Sequence, residues 1–450
     1  MVRVLLGKPY VHLILIAVLG LIVYSNTFDV PFQWDEETTI TENPVVKDIG
    51  YFLSPSKAQG FGVHHINLRD RYMGYLTFAL NYKLHGLDVR GYHVVNIALH
   101  ILNAFLVYFL VRLTLRTPFM INPPLEKGGE GGFKTPRLSY IALFSALLFV
   151  SHPIQTEAVN YIMGRLPLLM SFFYLSSIVL YVKWRLPPLS SPLTLRGDRG
   201  GLLYLLSLLS AVLAMKTKEN AFTLPFMDVL FEFSFSPVKE GESRRRRLIY
   251  LVPFLLTLLI IPLTLMDYGG TFGGAIESAT RHYKTEVPRI PYFLTQFRVV
   301  ATYIRLLFLP VNQDFDYDYL LSTSFFEMRV ILSFLFLLSI LGAAIYMFRR
   351  SKTDDPSFRL FAVGIFWFFI ALSVESSIFP IPMIICEYRA YLPSTGLFTA
   401  FSAFVAYTIL RLKRDKFKLI FFTAIFLIIP TLGITAYMRN KLPEDAQFSI

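Results

Sequence analysis

Residues 10–26 read YVHLILIAVLGLIVYSN, a continuous apolar run, and the acidic sequence FQWDEE follows shortly afterwards at residues 32–37. The apolar run is about as long as an α-helix must be to cross a bilayer. No small-x-small cleavage site follows it, so we interpret it as a retained first transmembrane helix and not as a signal peptide. Because two basic residues precede the run, this helix would place residues 27–92 outside.

The composition of the whole chain is also that of a membrane protein. Of its 450 residues, 54% are hydrophobic and only 16% are charged, whereas a soluble domain carries about 25% charged residues. This composition excludes a soluble multidomain enzyme. The single cysteine, Cys386, excludes an internal disulfide, a CxxC zinc site and an iron–sulfur cluster. The sequence has no Walker A, GxSxG or HExxH motif and gives no support to a nucleotide-powered pump or a serine hydrolase.

Ten further apolar segments predict an all-α polytopic bundle of about eleven transmembrane helices, with the N-terminus inside and the C-terminus outside. They lie near 94–112, 138–152, 166–183, 201–215, 220–235, 248–266, 328–348, 358–375, 393–410 and 419–437. Residues 292–310 are apolar too, but Arg298 and Arg305 interrupt them, and a span there would place later basic loops outside. We therefore expect an interfacial or re-entrant helix on the outer side, and an amphipathic outer helix at 72–84.

The net charge of +12 is unevenly distributed along the chain. Six short stretches contain 25 of the 43 Lys and Arg residues but only 8 of the 31 acids. These stretches are 1–9, 112–137, 183–200, 236–247, 349–359 and 411–418. All six fall inside in the predicted topology, as the positive-inside rule requires. The basic excess therefore indicates topology and not a nucleic-acid-binding surface.

The adjacent acids Asp35 and Glu36 lie a few residues beyond the first helix. Adjacent carboxylates at a membrane surface can act as a general base or hold a divalent metal, although surface acids without a catalytic role are common. Several cations fall at the same outer boundary, against the charge bias of the chain. They are Arg69, Arg71, Arg165, Lys216, Lys218, Arg298, Arg305 and Arg389. Such cations suggest a site for the phosphate of a lipid-linked donor, with interfacial anchoring as the alternative.

Three polar residues, His93, Asn96 and His100, share one face of the second predicted span. A metal site is conceivable there, but we favour hydrogen bonds between helices. The acidic and aromatic run DFDYDY at residues 314–319 could bind a sugar or a metal, or form a solvated outer loop.

The outer end of the third predicted span carries His152 and Glu157. If residues 156–160 are helical, Glu157 and Asn160 share a face that could be directed at the site.

Together these motifs resemble the GT-C superfamily of glycosyltransferases, which use polyprenyl-phosphate sugars. They are most similar to the transmembrane-and-tetratricopeptide-repeat (TMTC-like) protein O-mannosyltransferases and their prokaryotic relatives, here without the repeats. The matching stretches are FQWDEETTITENP at 32–44, LTFALNYKLHGLDVRGYHVVNIALH at 76–100, HPIQTEAVNYIMGRLPLL at 152–169, KENAFTLP at 218–225, residues 292–326, and EYRAYLPSTG at 387–396. One departure is Arg71-Tyr72, where family members have Arg-Pro.

The resemblance implies a GT-C-like transmembrane domain over residues 1–437. Its first outer loop, 27–92, would carry the acidic motif, and 267–327 would form a second large outer segment. Residues 438–450 would be a short outer tail, where the family's repeats begin. The protein would be multi-pass, in the inner membrane if prokaryotic, with its active site facing outside.

The resemblance also implies a reaction and a set of site residues. A sugar, mannose in the first instance, would move with inversion from a polyprenyl-phosphate donor to an acceptor hydroxyl of a protein or a glycan. The implied catalytic residues are Asp35 and Glu36; the donor-phosphate ligands are Arg389, Lys218 and Arg165; the acceptor-side or supporting residues are Glu157, Glu387, Arg71, His93 and His152. No cofactor is implied with certainty, and a divalent metal stays open. The alternatives are a transporter or flippase of lipid-linked sugars and a lipid-linked glycan ligase or polymerase.

Overall fold

The computed structural model describes residues 8–121, 135–186, 196–236, 242–269, 287–412 and 414–441. The expectations for the outer tail beyond residue 441, and for residues 270–286 of the second outer segment, lie outside the described residues.

Within the described ranges, the regular structure is entirely helical. The helices of ten or more residues are α1 (Pro9–Val23), α2 (Tyr72–His85), α3 (Val89–Thr114), α4 (Thr135–Ser151), α5 (Arg165–Arg185), α6 (Arg196–Met215), α7 (Leu224–Phe235), α8 (Arg244–Thr257), α9 (Ile260–Gly269), α10 (Arg289–Phe308), α11 (Met328–Arg350), α12 (Ser357–Leu372), α13 (Tyr391–Arg411) and α14 (Asp415–Arg439). Shorter helical turns are Glu37–Thr41, Pro44–Lys47, Gly50–Leu53, Pro55–Phe61, Val63–Asp70, Pro118–Ile121, Pro153–Gln155, Thr156–Asn160, Ile162–Gly164, Glu219–Thr223 and Glu387–Ala390.

Five helical segments in the described part of the chain are long and apolar enough to cross a membrane. They are Val89–Thr114, Ile162–Arg185, Arg244–Thr264, Met328–Arg350 and Glu387–Ile409. Shorter apolar helices accompany them within α1, α4, α6, α12 and α14. The chain is therefore a multi-pass membrane protein. Each segment predicted to span the membrane coincides with a helix, or with the α8–α9 pair.

Local sequence signals set the turn between α2 and α3. Gly86 ends α2 with a positive φ of 61°, a conformation that glycine adopts without strain. The side chain of Asp88 then accepts a hydrogen bond from the backbone N–H of Arg90 at 3.1 Å and caps α3. A short turn thus joins α2 to α3.

The long helices run between two ends of the bundle, which we call the acidic end and the basic end. At the acidic end, Asn440 follows α14 and donates to the carbonyl of Val23, the last residue of α1, at 2.7 Å. At the basic end, Arg185 of α5 and Arg247 of α8 both bind Glu232 of α7. The acidic motif after α1 and these basic residues are therefore at opposite ends of the bundle. This agrees with the predicted topology, in which the basic loops lie on one side of the membrane and the acidic motif on the other.

Helix α10 lies along the acidic end and does not cross the bundle. The hydroxyl of Tyr292, near its start, donates to the carbonyl of Glu375 at 3.0 Å. The hydroxyl of Tyr303 donates to the carbonyl of Cys386 at 2.8 Å, and the Leu307 carbonyl is 3.2 Å from the ring of His152. These partners all lie in connections at the acidic end. This placement agrees with the expectation of an interfacial or re-entrant helix at 292–310.

Helices α12 and α13 approach most closely where Gly364 faces Gly396. A Cβ atom added to Gly364 would lie 2.4 Å from the carbonyl oxygen of Gly396, so a methyl group there forces the two backbones apart. We expect Gly364→Ala to cost about 1–3 kcal/mol of folding free energy by overpacking. Thermal unfolding in detergent measures this cost. The matched variant Gly342→Ala, in α11, adds a Cβ with nothing within 4 Å and should unfold like the wild type; equal losses in both variants would contradict the prediction.

Candidate active site

The acidic loop, residues 32–37, leaves α1 and presents Asp35 at the surface of the acidic end. Asp35 is exposed, and its Oδ1 atom accepts a hydrogen bond from the hydroxyl of Tyr161. Burial, and then the negative charge of Asp35, raise the pKa of Tyr161, so this hydroxyl stays protonated and keeps donating to the carboxylate. Tyr161 therefore orients an accessible carboxylate.

Glu36 is turned the opposite way and is buried. Its two carboxyl oxygens accept backbone N–H groups, from Gln33 at 2.9 Å and from Met163 at 3.0 Å. Burial raises the pKa of Glu36 to about 8, more than the two hydrogen bonds lower it. Glu36 thus attaches the acidic loop to the segment that carries Tyr161, which is a supporting role.

Glu157 and Glu387 connect three segments of the acidic end. The carboxylate of Glu157 accepts the backbone N–H groups of Glu387 and Tyr388, at 2.6 and 3.1 Å, and so caps the turn Glu387–Ala390. Burial, and then the carboxylate of Glu387, raise the pKa of Glu157 to about 8. Glu387 itself accepts hydrogen bonds from Gln313 at 2.7 Å and from the guanidinium of Arg439 at 2.6 Å.

Lys218 and Arg389 both lie close to Tyr388, since Lys218 contacts its ring and Arg389 is the next residue in the chain. The Lys218 ammonium is 2.8 Å from a carboxylate oxygen of Glu375 and 4.7 Å from the centre of the Tyr388 ring. The guanidinium of Arg389 donates to the carbonyls of Ile384 and Met383, while its Nε atom has no partner among the described residues. Two of the three predicted phosphate ligands thus belong to the same part of the acidic end.

Arg165, the third predicted phosphate ligand, occupies a different place. It is fully buried, and its guanidinium donates to the side chains of Asn96 and Asn81 at 2.9 and 2.5 Å and to the carbonyl of Tyr92 at 2.8 Å. The ring of Phe78 stacks 4.6 Å from the charge. These contacts correct the expectation for Arg165, because its charge is already bound between α2, α3 and α5.

Arg71 and His93 also make contacts within the fold. Arg71 forms an ion pair of 3.0 Å with Glu219. His93 Nε2 is 2.8 Å from the carbonyl of Val30. Arg71 thus connects the start of α2 to the turn Glu219–Thr223, and His93 connects α3 to the segment just before the acidic loop.

The polar face of α3 forms hydrogen bonds to neighbouring segments. This is the interpretation that we favoured over a metal site at His93, Asn96 and His100. Asn96 donates to the carbonyls of Val159, Tyr161 and Ile162 at 3.2–3.3 Å. His100 bonds the hydroxyl of Tyr391 at 2.8 Å. His152 likewise accepts the backbone N–H of Ile154 at 3.1 Å and reaches α10.

The described residues do not assemble the ligands of a divalent metal. No three His, Cys, Asp or Glu side chains among them are grouped closely enough to hold one. Glu36, the acid adjacent to Asp35, already uses both oxygens on backbone N–H groups. We therefore derive no step through a metal.

No protein-family model matches the chain. A Caenorhabditis elegans protein O-mannosyl-transferase is 26% identical over 394 residues, which are 86% of this chain and 50% of that protein. The Drosophila melanogaster protein O-mannosyl-transferase Tmtc3 is 29% identical over 231 residues, 48% of this chain and 23% of that protein. The chain is a distant homologue of the TMTC protein O-mannosyltransferases. It spans half or less of the length of these relatives.

The fold is similar to that of a solved membrane enzyme. The crystal structure of the Archaeoglobus fulgidus oligosaccharyltransferase in the apo form matches 96% of this chain and 56% of that chain, with a TM-score of 0.51 and 14% identity. The same enzyme tethered to an acceptor peptide containing the NVT sequon gives a TM-score of 0.50. The all-helical fold predicted from the sequence is therefore confirmed, and it is similar to the fold of this oligosaccharyltransferase.

Sequence reasoning missed three groups that contact the predicted site residues of this chain: Tyr161, Glu375 and Arg439. Tyr161 lies inside a matching stretch but carries no signal of its own, because tyrosine is common in such loops. Glu375 and Arg439 stand at the ends of apolar segments, where a charged residue is read as an interfacial anchor. Their pairing with Lys218 and Glu387 spans 157 and 52 residues of sequence, and nothing local indicates it.

Proposed function

We propose that the chain is a polyprenyl-phosphate-dependent membrane glycosyltransferase that transfers mannose to a Ser or Thr hydroxyl of a protein on the extracytoplasmic side. The observation that supports this most directly is the single exposed carboxylate, Asp35, among four predicted ones. Glu36, Glu157 and Glu387 are committed to backbone N–H groups or to Arg439. Distant homology to protein O-mannosyltransferases supports the same chemistry.

The proposed reaction is a single displacement. The acceptor oxygen attacks the anomeric carbon of the sugar from the face opposite the phosphate, and Asp35 takes the proton of the hydroxyl. The new bond forms as the bond from the anomeric carbon to the phosphate oxygen breaks, so the configuration inverts. The electron pair of the broken bond stays on the polyprenyl phosphate.

The leaving phosphate gains negative charge, which nearby cations would compensate. Lys218 and Arg389 are the candidates because Lys218 contacts the Tyr388 ring and Arg389 is the next residue in the chain. Burial, Asp35 and Glu36 are the main causes of the raised pKa of Tyr161, and Tyr388 is close enough to contribute to it. In the structure Glu375 holds the Lys218 ammonium. We propose that the phosphate replaces the Glu375 carboxylate as the partner of Lys218.

The proposed orientation follows the charge distribution. The basic end would face the cytoplasm and the acidic end the outside, with eleven spans, the N-terminus inside and the C-terminus outside. Residues 1–437 would form one transmembrane domain, in which 27–92 and 267–327 are outer segments.

The proposed function is tested with purified protein in lipid vesicles. Labelled polyprenyl-phosphate mannose is added with peptides that contain Ser or Thr, and the label in the peptide is measured. Labelled peptide supports the proposal. Movement of the labelled lipid across the vesicle membrane without transfer would replace it with the transporter alternative, and transfer only from a donor carrying a longer glycan would replace it with the ligase alternative.

The phosphate site gives a paired prediction. We expect Lys218→Gln to lower kcat/KM for the donor by about 10–100-fold, because one charge opposite the leaving phosphate is lost. Glu375→Gln should leave kcat/KM unchanged or raise it, since the competing carboxylate is removed. Lys57→Gln, at an exposed position, is the control. If the ion pair only stabilises the fold, both variants lose activity together with thermal stability, and the phosphate site is wrong.

A further inference from the structure

Trp34 is a large aromatic residue placed at the surface directly before Asp35. Its side chain is 53% exposed, although an indole ring would gain free energy from burial. Its φ angle is 49°, in the left-handed region that bulky residues rarely adopt. Backbone strain of this kind costs free energy and is concentrated at functional sites. The strained backbone and the exposed ring therefore both single out Trp34.

Two other aromatic rings hold Trp34 in place. The ring of Tyr161 packs edge-on at 5.6 Å between centroids, and the ring of Phe315 lies at 6.1 Å. Phe315 is itself covered by the guanidinium of Arg439 at 4.8 Å. The indole is thus fixed by neighbours that are anchored to the site, while about half of its surface stays open.

The segment that contributes Phe315 is the acidic and aromatic run 314–319. Its residues alternate in burial: Phe315, Tyr317 and Tyr319 are half-buried, whereas the aspartate before each of them is exposed. The hydroxyl of Tyr317 donates to Glu387 at 2.5 Å and fixes the run to the site. The run therefore brings an aromatic ring to Trp34 and exposes carboxylates beside it.

A hexopyranose ring has the chemistry that this surface fits. One face of the ring presents C–H groups with partial positive charge, which pack on the negative face of an aromatic ring, and its hydroxyls donate to carboxylates. The open face of the indole can pack against the C–H groups of the sugar ring. The exposed aspartates of the run can accept hydrogen bonds from its hydroxyls.

We propose that Trp34, supported by Tyr161 and Phe315, is the stacking surface that binds the pyranose ring of the transferred sugar beside Asp35. This inference rests on the proposed glycosyl transfer and adds to it the residue that recognises the sugar. Trp34 is a binding residue, and Asp35 keeps the proton-transfer role. The competing explanation is that Trp34 anchors the loop in the membrane interface.

Intrinsic fluorescence tests the binding step without turnover. The chain has three tryptophans, and the other two are less accessible than Trp34: Trp184 is partly buried beside Arg185 at the basic end, and Trp367 is 3% exposed. Farnesyl phosphate mannose should change the emission, whereas farnesyl phosphate without sugar should not. Trp34→Phe should abolish the change, and the control Trp184→Phe should keep it. An equal response to both lipids would overturn the proposal, because an interfacial anchor senses the lipid and not the sugar.

Kinetics supply the second measurement. Trp34→Leu should raise KM for the donor by about tenfold, with KM for the acceptor peptide unchanged, and Trp34→Phe should restore most of the affinity because the aromatic face returns. A wild-type donor KM in Trp34→Leu, or a rise in the acceptor KM instead, would overturn the inference. A wild-type protein that transfers no sugar would contradict the proposed function, while the fluorescence result would still report sugar binding.

Discussion

Asp35→Asn should reduce sugar transfer by about 10²–10⁴-fold while the protein inserts and folds normally. The amide keeps the shape of the side chain and can still accept the hydroxyl of Tyr161, so the acidic loop stays in place. The amide cannot take the proton of the attacking acceptor, and general-base catalysis of this kind contributes about 10²–10⁴-fold. The measurement is the initial rate of transfer at saturating donor and acceptor, with thermal unfolding recorded for the same preparation.

Two neighbouring acids provide the controls for Asp35. Glu37→Gln changes an exposed acid two residues away and should transfer sugar at the wild-type rate. Glu36→Gln should lower thermal stability together with activity, because its amide NH2 would face one of the two backbone N–H groups that Glu36 binds, whereas Asp35→Asn should lower activity alone. Full activity in Asp35→Asn, or an equal loss in Glu37→Gln, would refute the assignment of Asp35 as the base.

The course of the helices could be predicted because its signals are local. The length of each apolar run and the charge at its two ends are read directly from neighbouring residues, and the structure places a helix at every predicted segment. The same reasoning identified α10, because Arg298 and Arg305 interrupt an otherwise apolar run. In the structure these guanidiniums bind the carbonyls of Leu320 and Val311, in the loop that follows α10.

The site could be predicted only in part, because residue type does not reveal a partner. Arg165 and Lys218 have the same charge and similar positions relative to the apolar segments. Arg165 donates hydrogen bonds to the side chains of Asn81 and Asn96. Lys218 forms an ion pair with a single carboxylate, that of Glu375. The sequence shows no difference between the two cations, since the deciding partners are distant in the chain.

A buried charge cluster at the basic end is the counterpart of the acidic site. Glu232 of α7 is fully buried and accepts from Arg185 of α5 at 2.8 and 2.9 Å and from Arg247 of α8 at 2.7 Å. The hydroxyl of Tyr181 adds a fourth bond at 3.0 Å, and Glu242 pairs with the far side of Arg185. Glu232 and Glu242 together therefore balance the charges of Arg185 and Arg247, and Glu232 contacts both guanidiniums.

Glu232→Gln should destabilise the fold by about 3–5 kcal/mol, the usual cost of leaving a buried charge without its partner. The variant removes the carboxylate that pairs with Arg247, while Arg185 keeps Glu242, and the amide NH2 of the glutamine would face guanidinium N–H groups. Thermal unfolding in detergent measures the loss. Asp354→Asn is the matched control, because Asp354 pairs with Arg350 at the same end but in an exposed position; surface pairs of that kind contribute little. If both variants unfold at the same temperature as the wild type, α5, α7 and α8 are held together by apolar packing, and the cluster serves another purpose.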